Sequence, residues 1–238
     1  MFEQDNMFEQ GQRRLIVIIT RRQFVMSTSA ALALGALGSV GAFEVFNGSG
    51  GRAEAETFSV LELEAKGPLD DIPMGSASAP VTIIEYASMT CPHCAAFSVT
   101  TFPKLKEKYI DTGKVKYIMR EYPLDGLAAA AFMLARCSGP DKYYPLIETL
   151  FAQQQKWAVK EPIPPLLAIA KQAGFTQQSF EACVNDKGLL AKVQQMRDRG
   201  KEKFKVEATP TFYINGERYP GAMAIEDIDK VIAQLIKS

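Results

Sequence analysis

The chain has 238 residues, long enough for one sizeable domain or for a small domain that carries an insertion. Hydrophobic residues make up 47% and charged residues 23%, as in ordinary globular proteins. Lysine plus arginine and aspartate plus glutamate each total 27, so the formal net charge is zero. Binding to a phosphate backbone needs a basic excess, and this balance therefore argues against nucleic acid as a partner.

Residues 1–55 have the character of an export signal. Arg21 and Arg22 precede a weakly apolar run, rich in Ala and Gly, that reaches about Phe46. The pattern resembles a twin-arginine signal, with an Ala-Glu-Ala cleavage site ending at Ala55. An ordinary secretory signal and an uncleaved membrane anchor are the alternatives. Export by either route predicts a periplasmic domain, outside the reducing cytosol, where disulfides persist.

The first half of the remaining chain predicts a strand, a helix and a second strand. Residues 56–78 have turn signals and no clear periodicity, and we expect an irregular lead-in. The β-branched run PVTIIEYAS predicts a strand, and a helical pattern follows from Cys91 to Tyr109 with a kink at Pro103. The alternating run KVKYIMREY predicts the next strand. This order indicates a βαβ unit and hence a parallel pair.

The second half predicts helices and then a hairpin. Residues 124–204 contain several helical segments separated by Pro or Gly and almost no strand pattern. PTFYING and ERYPG then predict a hairpin around Asn215-Gly216, before a C-terminal helix. The fold class is therefore α/β: a thioredoxin-like domain, residues 79–123 and 205–238, interrupted by an all-helical insertion over 124–204.

The motif CPHC lies where the first strand gives way to the helix. The unpaired N–H groups and the positive dipole end of that helix stabilise a thiolate at Cys91. Pro92 suits the first turn because its missing N–H costs nothing there, and His93 adds a polar neighbour that favours the anion. Cys94, one turn along, can close a disulfide with Cys91. A stabilised thiolate is a good leaving group, so this pair is predicted to be an oxidising reactive centre.

A metal site and a structural disulfide are the alternative interpretations of the motif. Its two cysteines and the chain's one histidine supply three ligands, so a tetrahedral site would need Cys137 or Cys183 as well. A structural bridge across two residues closes a very short loop and gains little chain entropy. Both alternatives are less favoured than reactive chemistry.

A second signal lies in EATPTFYING, more than a hundred residues later. Pro210 opens a strand and cannot donate to a ladder, which indicates a special position. Either it is a turn proline, or it is a cis proline that faces the CPHC motif. In the second case the Thr209 backbone is left to bind an extended substrate peptide by strand pairing.

Together, CPHC after IIEYASMT, the helical insertion and TPTFYING resemble the DsbA-like thiol-disulfide oxidoreductases of the thioredoxin superfamily. The resemblance covers most of residues 70–238. It implies a nucleophile at Cys91, a resolving partner at Cys94, a tuning residue at His93 and a cis bond before Pro210. Reduced secreted proteins are the implied substrates and a membrane protein of the DsbB type the implied reoxidant. No organic cofactor or metal is expected.

The family's buried acid matches Glu85, a carboxylate inside the apolar run IIEYAS. Burial would raise its pKa and let it relay protons to Cys94; the alternative is an edge-strand residue that faces solvent. Thr209 departs from the valine of the family's best-known oxidase and also occurs in disulfide isomerases. The short distance between the predicted cleavage site and the first core strand leaves little room for an N-terminal dimerisation domain, which favours the oxidase.

Three residues outside these motifs complete the predicted sites. Cys137 and Cys183 lie 46 positions apart in the predicted insertion and lack CxxC spacing. We expect a structural disulfide, with a second redox-active pair as the alternative. Met89, just before the motif, either lines an apolar groove for substrate peptides or packs in the core.

Overall fold

The structure, a computed structural model, describes residues 56–237. The export signal predicted over residues 1–55, with its cleavage site at Ala55, lies outside this range. In chain order the described elements are α1 (Val60–Glu64), β1 (Pro73–Met74), β2 (Val81–Ala87), α2 (Pro92–Thr100), α3 (Phe102–Leu105), a π-helical turn (Lys106–Ile110), β3 (Val115–Glu121), α4 (Gly126–Cys137), α5 (Pro140–Ala152), α6 (Gln154–Trp157), α7 (Ile163–Gln172), α8 (Gln177–Val184), α9 (Lys187–Phe204), β4 (Thr211–Ile214), β5 (Glu217–Pro220) and α10 (Ile225–Lys237).

These strands form one mixed sheet in the order β1-β3-β2-β4-β5. Strand β2 pairs in parallel with β3, with Ile84 opposite Ile118, and antiparallel with β4, with Ile84 opposite Tyr213. The parallel pair confirms the predicted βαβ unit. All seven residues of β2 are buried, because its apolar side chains are covered on both faces of the sheet.

The alternation of side chains along β2 assigns its residues to two packing layers. Ile84 and Tyr86 belong to a smaller apolar cluster on one face. Ile83 and Ala87 belong to the larger cluster on the other face, which also contains apolar residues of α2 and α5. Because successive strand residues point to opposite faces, Glu85 lies on the same face as Ile83 and Ala87, toward the helix that carries the two cysteines.

The helix after β2 is interrupted near Pro103. Helix α2 ends at Thr100 and α3 begins at Phe102, followed by the π-helical turn. Pro103 has no N–H to donate to the carbonyl of Val99, so a regular helix cannot continue through this point. The predicted kink is therefore confirmed.

The predicted helices between the two halves of the sheet are also confirmed. Helices α4 to α9 all lie between β3 and β4 in the chain. Side chains at helix starts accept backbone N–H groups that have no partner within the helix: Asp125 accepts from Ala128 at 2.7 Å and Asp186 from Leu189 at 3.0 Å.

The hairpin predicted at Asn215-Gly216 joins β4 to β5. Asn215 has φ of 45° and Gly216 φ of 94°, the left-handed conformations that a two-residue hairpin turn requires. A Cβ atom on Gly216 would collide with the carbonyl oxygen of Phe58, whose N–H donates to the Gly216 carbonyl at 2.8 Å. Glycine is therefore required here both by the turn and by the segment packed against it.

The prediction of an irregular lead-in over residues 56–78 is wrong in part. This segment contains α1 and β1, and β1 pairs antiparallel with β3. Arg120 of β3, with an exposed fraction of 0%, donates to both carboxylate oxygens of Asp71 at 2.9 and 2.7 Å and to the Leu63 carbonyl at 2.6 Å. A two-residue strand has too few residues for alternation to be visible, and its place depends on Arg120, about fifty positions away.

No helix within residues 56–237 combines the length and the apolar character needed to cross a membrane.

Candidate active site

The CPHC motif forms the first turn of α2. Cys91 is the N-cap residue, with extended φ of −77° and ψ of 121°, and Pro92 occupies the first helical turn. The Cys91 carbonyl accepts the first helical hydrogen bond, from Ala95 N–H at 3.1 Å. Both cysteines carry free thiols, so the site is in its dithiol form. The exposed fraction is 5% for Cys91 and 0% for Cys94, which leaves Cys91 as the one that solvent reaches.

Hydrogen bonds at this turn stabilise Cys91 as a thiolate. The Cys94 thiol is its strongest stabilising neighbour, followed by the side chain of Thr209 and the backbone N–H groups of Cys94 and His93. Together they outweigh the cost of burial and lower the pKa of Cys91 from 9.0 to about 5. At neutral pH Cys91 is therefore ionised, as a reactive cysteine at a helix N-terminus is expected to be.

His93 contributes to this stabilisation through its backbone. Its side chain is exposed at the start of α2, whereas its N–H group is among the donors that lower the pKa of Cys91. The predicted tuning role of the imidazole stays a prediction.

Cys94 is held as a neutral thiol. Burial is the main reason that the pKa of Cys94 is raised, and the hydrogen bond to Cys91 and the charge of Glu85 raise it further. The pKa values of the two cysteines are therefore shifted in opposite directions: Cys91 is a thiolate that leaves readily, and Cys94 holds its proton.

Glu85 lies on the Cys94 side of the sheet with an exposed fraction of 1%, which excludes the solvent-facing alternative. The Tyr117 hydroxyl, from the neighbouring strand, donates a hydrogen bond to Glu85 Oε2. Burial raises the pKa of Glu85 to about 8 and the Cys91 charge adds to the shift, whereas the bond from Tyr117 opposes it. A carboxyl group with this pKa both gains and loses a proton near neutral pH, as general acid–base chemistry requires.

The loop before β4 faces the cysteines. The Thr209–Pro210 peptide bond is cis, and the Thr209 carbonyl oxygen lies 3.2 Å from Cys91 Sγ. Pro210 is followed directly by β4, and its carbonyl accepts the Gly221 N–H at 2.8 Å. The structure thus brings Thr209 and Pro210 against Cys91 across 118 positions of sequence.

The assignment of Met89 to a substrate groove is wrong. Its exposed fraction is 0%, and it packs in the larger apolar cluster, as the core alternative predicts. The tight turn that precedes α2, in which Cys91 N–H donates to the Ser88 carbonyl at 3.1 Å, directs the Met89 side chain inward.

Gln154 belongs to the site but has no sequence signal. Its buried side-chain amide donates to the carbonyls of Met89 at 2.8 Å and Cys91 at 3.0 Å. The residue lies in a run of three glutamines at the start of α6, and nothing local distinguishes it from its neighbours. Tyr117 was missed for a similar reason: in the strand pattern it is one apolar residue among several.

The remaining two cysteines form a disulfide. Cys137 and Cys183 are bonded, with their Cα atoms 6.3 Å apart, and the bond ties the end of α4 to α8. Across the residues that the structure describes, no three His, Cys, Asp or Glu side chains come together as metal ligands.

Comparisons with known proteins agree with this geometry. A family model described as thioredoxin matches residues 69–234. A Rickettsia bellii protein named "Putative protein-disulfide oxidoreductase" is 32% identical over 188 residues, which are 77% of this chain and 71% of that protein. A protein of the same name from Rickettsia prowazekii is 33% identical over 168 residues, 68% of this chain but only 60% of its own length.

Solved structures show the same similarity. The crystal structure of alpha-DsbA1 from Wolbachia pipientis is 34% identical, with a TM-score of 0.67 over 71% of this chain and 92% of that one. BdbD from Bacillus subtilis, at 23% identity, shares the fold with a TM-score of 0.63 over 71% of this chain and 94% of its own. With the ionised cysteine at a helix start and the cis proline that faces it, these matches show that the chain belongs to the thioredoxin family and to its DsbA-like disulfide oxidoreductases.

Proposed function

We propose that this protein is a dithiol oxidase of the periplasm, which donates a Cys91–Cys94 disulfide to reduced secreted proteins. The observation that carries the proposal is the lowered pKa of Cys91, about 5, at the N-terminus of α2. Stabilising the Cys91 thiolate stabilises the dithiol form relative to the disulfide. The oxidised pair is then a strong oxidant that passes its disulfide on.

The reaction requires two exchanges. A substrate thiolate attacks Cys91 Sγ of the oxidised pair, a substrate–Cys91 bond forms, and Cys94 leaves and takes up a proton. A second substrate thiolate then attacks the substrate sulfur of this mixed disulfide, and Cys91 leaves as its stabilised thiolate. Two electrons pass from the substrate dithiol to the enzyme, and sulfur atoms carry all of them, so the exchange needs no organic cofactor or metal.

The substrate peptide is proposed to lie along the loop at Thr209 and Pro210. This loop contacts Cys91 and leads into β4, so an extended peptide beside Thr209 would present its cysteine to the exposed side of the sulfur. Main-chain pairing of this kind accepts many sequences, which suits an enzyme with many clients.

The setting of the reaction is proposed from the sequence. Residues 1–55 would direct export by the twin-arginine route, and a membrane partner of the DsbB type would reoxidise the dithiol. In this arrangement residues 79–123 and 205–238 form the thioredoxin-like domain and residues 124–204 the helical insertion.

The test is a titration of the Cys91 thiolate by its ultraviolet absorbance, together with a redox equilibrium against glutathione. We expect a pKa near 5 and a potential well above the roughly −270 mV of thioredoxin. Cys91→Ser should abolish disulfide transfer to a reduced client. An ordinary thiol pKa together with a thioredoxin-like potential would refute the proposal.

Thr209 is also compatible with a second function, that of a disulfide isomerase or reductase, because threonine before the cis proline also occurs in isomerases. Such an enzyme would repair a scrambled multi-disulfide client efficiently in its reduced form and would oxidise a reduced client poorly. The same two clients, one reduced and one scrambled, therefore separate the two functions.

A further inference from the structure

A small cavity lies beside Glu85, between the sheet and helices α2 and α5. Its volume is about 10 Å³, about the least that holds one water molecule. The polar residues that line it are Glu85, Ser98, Tyr117, Tyr144 and Glu148. Glu85 and Tyr117 are fully buried, whereas Glu148 is exposed, so the lining runs from the interior to the surface.

The proposed chemistry requires proton movement at this place. Each time the disulfide is donated, Cys94 gains a proton, and each time the pair is reoxidised, Cys94 loses it. Glu85 is the carboxyl group whose charge acts on Cys94, and with an exposed fraction of 1% it does not itself meet solvent. A proton that passes through Glu85 therefore needs a further path to the surface.

We propose that the Tyr117 hydroxyl and the adjoining cavity form that path, and that it ends at the Glu148 carboxylate. This inference rests on the proposed dithiol chemistry and adds its proton route. When Cys94 leaves, Glu85 gives it a proton. Tyr117, which already donates to Glu85 Oε2, passes its hydroxyl proton to that carboxylate and takes another from a water in the cavity, which is replenished from Glu148. Reoxidation runs the same transfers in reverse, so no net proton stays on Tyr117.

The groups around Glu85 favour this direction over others. Cys91 and Cys94 face it from α2, Tyr117 from β3, and Tyr144 from α5. The Tyr144 hydroxyl is fixed by two backbone bonds: it donates to the Ile72 carbonyl at 2.6 Å and accepts from Met119 N–H at 3.2 Å. Rotation of that hydroxyl would break both bonds, so Tyr144 lines the cavity without being free to pass a proton.

The carboxyl groups at the two ends are suited to exchange. Burial raises the pKa of Glu85 to about 8, so it exchanges a proton near neutral pH. Partial desolvation of its carboxyl group against the cavity also raises the pKa of Glu148, and the charge of Lys106 opposes that shift. An exposed carboxyl group with a raised pKa holds a proton for a larger fraction of the time and so delivers one to the cavity more readily.

The experiment measures single-turnover transfer of the disulfide from oxidised enzyme to a reduced peptide dithiol, by rapid acid quench in dilute buffer. Tyr117→Phe and Glu148→Gln are compared with their matched controls Tyr144→Phe and Glu107→Gln, the latter an exposed glutamate outside the cavity. We expect the two route variants to be slowed about tenfold or more, with an altered solvent deuterium isotope effect. Addition of a small acid such as formate or imidazolium should restore their rates, and both controls should match the unmodified enzyme.

A merely structural role for Tyr117 would give a different result. If Tyr117→Phe and Glu148→Gln react as fast as their controls, or are slowed but are neither rescued by small acids nor changed in isotope effect, the route is refuted. The redox potential and the client oxidation of the unmodified enzyme are measured in parallel. Failure there refutes the dithiol oxidase, whereas normal values with unaffected variants refute only the proton route.

Discussion

Cys91 and Glu85 should have opposite effects on the pH dependence of stability. Replacing either residue should therefore reveal the pH dependence that the other one causes. In the reduced protein the pKa of Cys91 falls from 9.0 to about 5 on folding, and that of Glu85 rises from 4.5 to about 8. Between pH 5.5 and 7.5 the unfolded chain therefore holds one more proton at Cys91, and the folded chain one more at Glu85. Stability conferred by Cys91 is complete above its unfolded pKa and is lost as the pH falls through 5. Stability conferred by protonated Glu85 is complete below 4.5 and is lost as the pH rises through 8.

The magnitude follows from the proton count. One proton of difference changes the free energy of unfolding by about 1.4 kcal/mol per pH unit. In the unmodified reduced protein the two slopes cancel. In Glu85→Gln only the Cys91 slope remains, so stability should rise by about 2.7 kcal/mol from pH 5.5 to 7.5. In Cys91→Ser only the Glu85 slope remains, and stability should fall by a similar amount.

The assay is urea unfolding of the three proteins across this pH range under one reducing condition. The comparison uses differences between proteins at each pH, so that contributions from other groups, and from reduction of Cys137–Cys183 in the unfolded chain, are common to all three. If the difference in free energy of unfolding between Glu85→Gln and the unmodified protein is the same at every pH, then Glu85 is not held protonated by the fold. If the corresponding difference for Cys91→Ser is also the same at every pH, then Cys91 is not a stabilised thiolate, and the proposed chemistry is refuted.

Three further predictions concern Thr209, the Cys137–Cys183 disulfide and Gln154. Thr209→Val removes a side chain that stabilises the thiolate, so the pKa of Cys91 should rise by about one unit and the redox potential should fall; an unchanged ultraviolet titration would contradict this. Replacing both Cys137 and Cys183 by Ala should lower the free energy of unfolding by about 4 kcal/mol, as a bridge of 46 positions does in the chain-entropy model, and leave single-turnover disulfide transfer at the unmodified rate. Loss of transfer in the still-folded double variant would instead support a redox-active second pair. Gln154→Leu removes the side-chain donor to the buried Met89 carbonyl and one of the two donors to the Cys91 carbonyl, and should cost about 1–3 kcal/mol of stability. Gln155→Leu on the same short helix should cost much less; equal losses in thermal unfolding would remove Gln154 from the site.

The sequence predicts those parts of the site that depend on local geometry. A cysteine at the junction of a strand and a helix acquires N–H donors from the next turn of the same chain, so CPHC predicts a stabilised thiolate at Cys91. How far the pKa of Cys91 falls depends also on Thr209, which comes from a distant loop. The apolar run around Glu85 likewise predicted burial, since every residue of a central strand is covered. These inferences need only the period of the strand and the polarity of the helix.

The parts that could not be predicted depend on contacts between distant segments. Tyr117 reaches Glu85 across 32 positions and Gln154 reaches Cys91 across 63, and neither has a local pattern that sets it apart. Met89 was misassigned because an apolar residue beside an active site has the same sequence signal whether it points inward or outward. The turn before α2 decides its direction, and that turn is specified by hydrogen bonds rather than by residue type.

The buried guanidinium on β3 makes the stability of the folded protein depend on the segment that precedes β1. A protease that cut downstream of Asp71 would remove the carboxylate that neutralises Arg120 and strand a positive charge in the interior, at a cost of about 3–5 kcal/mol. Cleavage between Glu56 and Leu63 would already remove the segment that pairs with the hairpin, in which the Glu56 carbonyl accepts the Arg218 N–H at 3.0 Å. Versions of the protein that begin downstream of Glu56 should therefore be less stable, even though every cysteine is present.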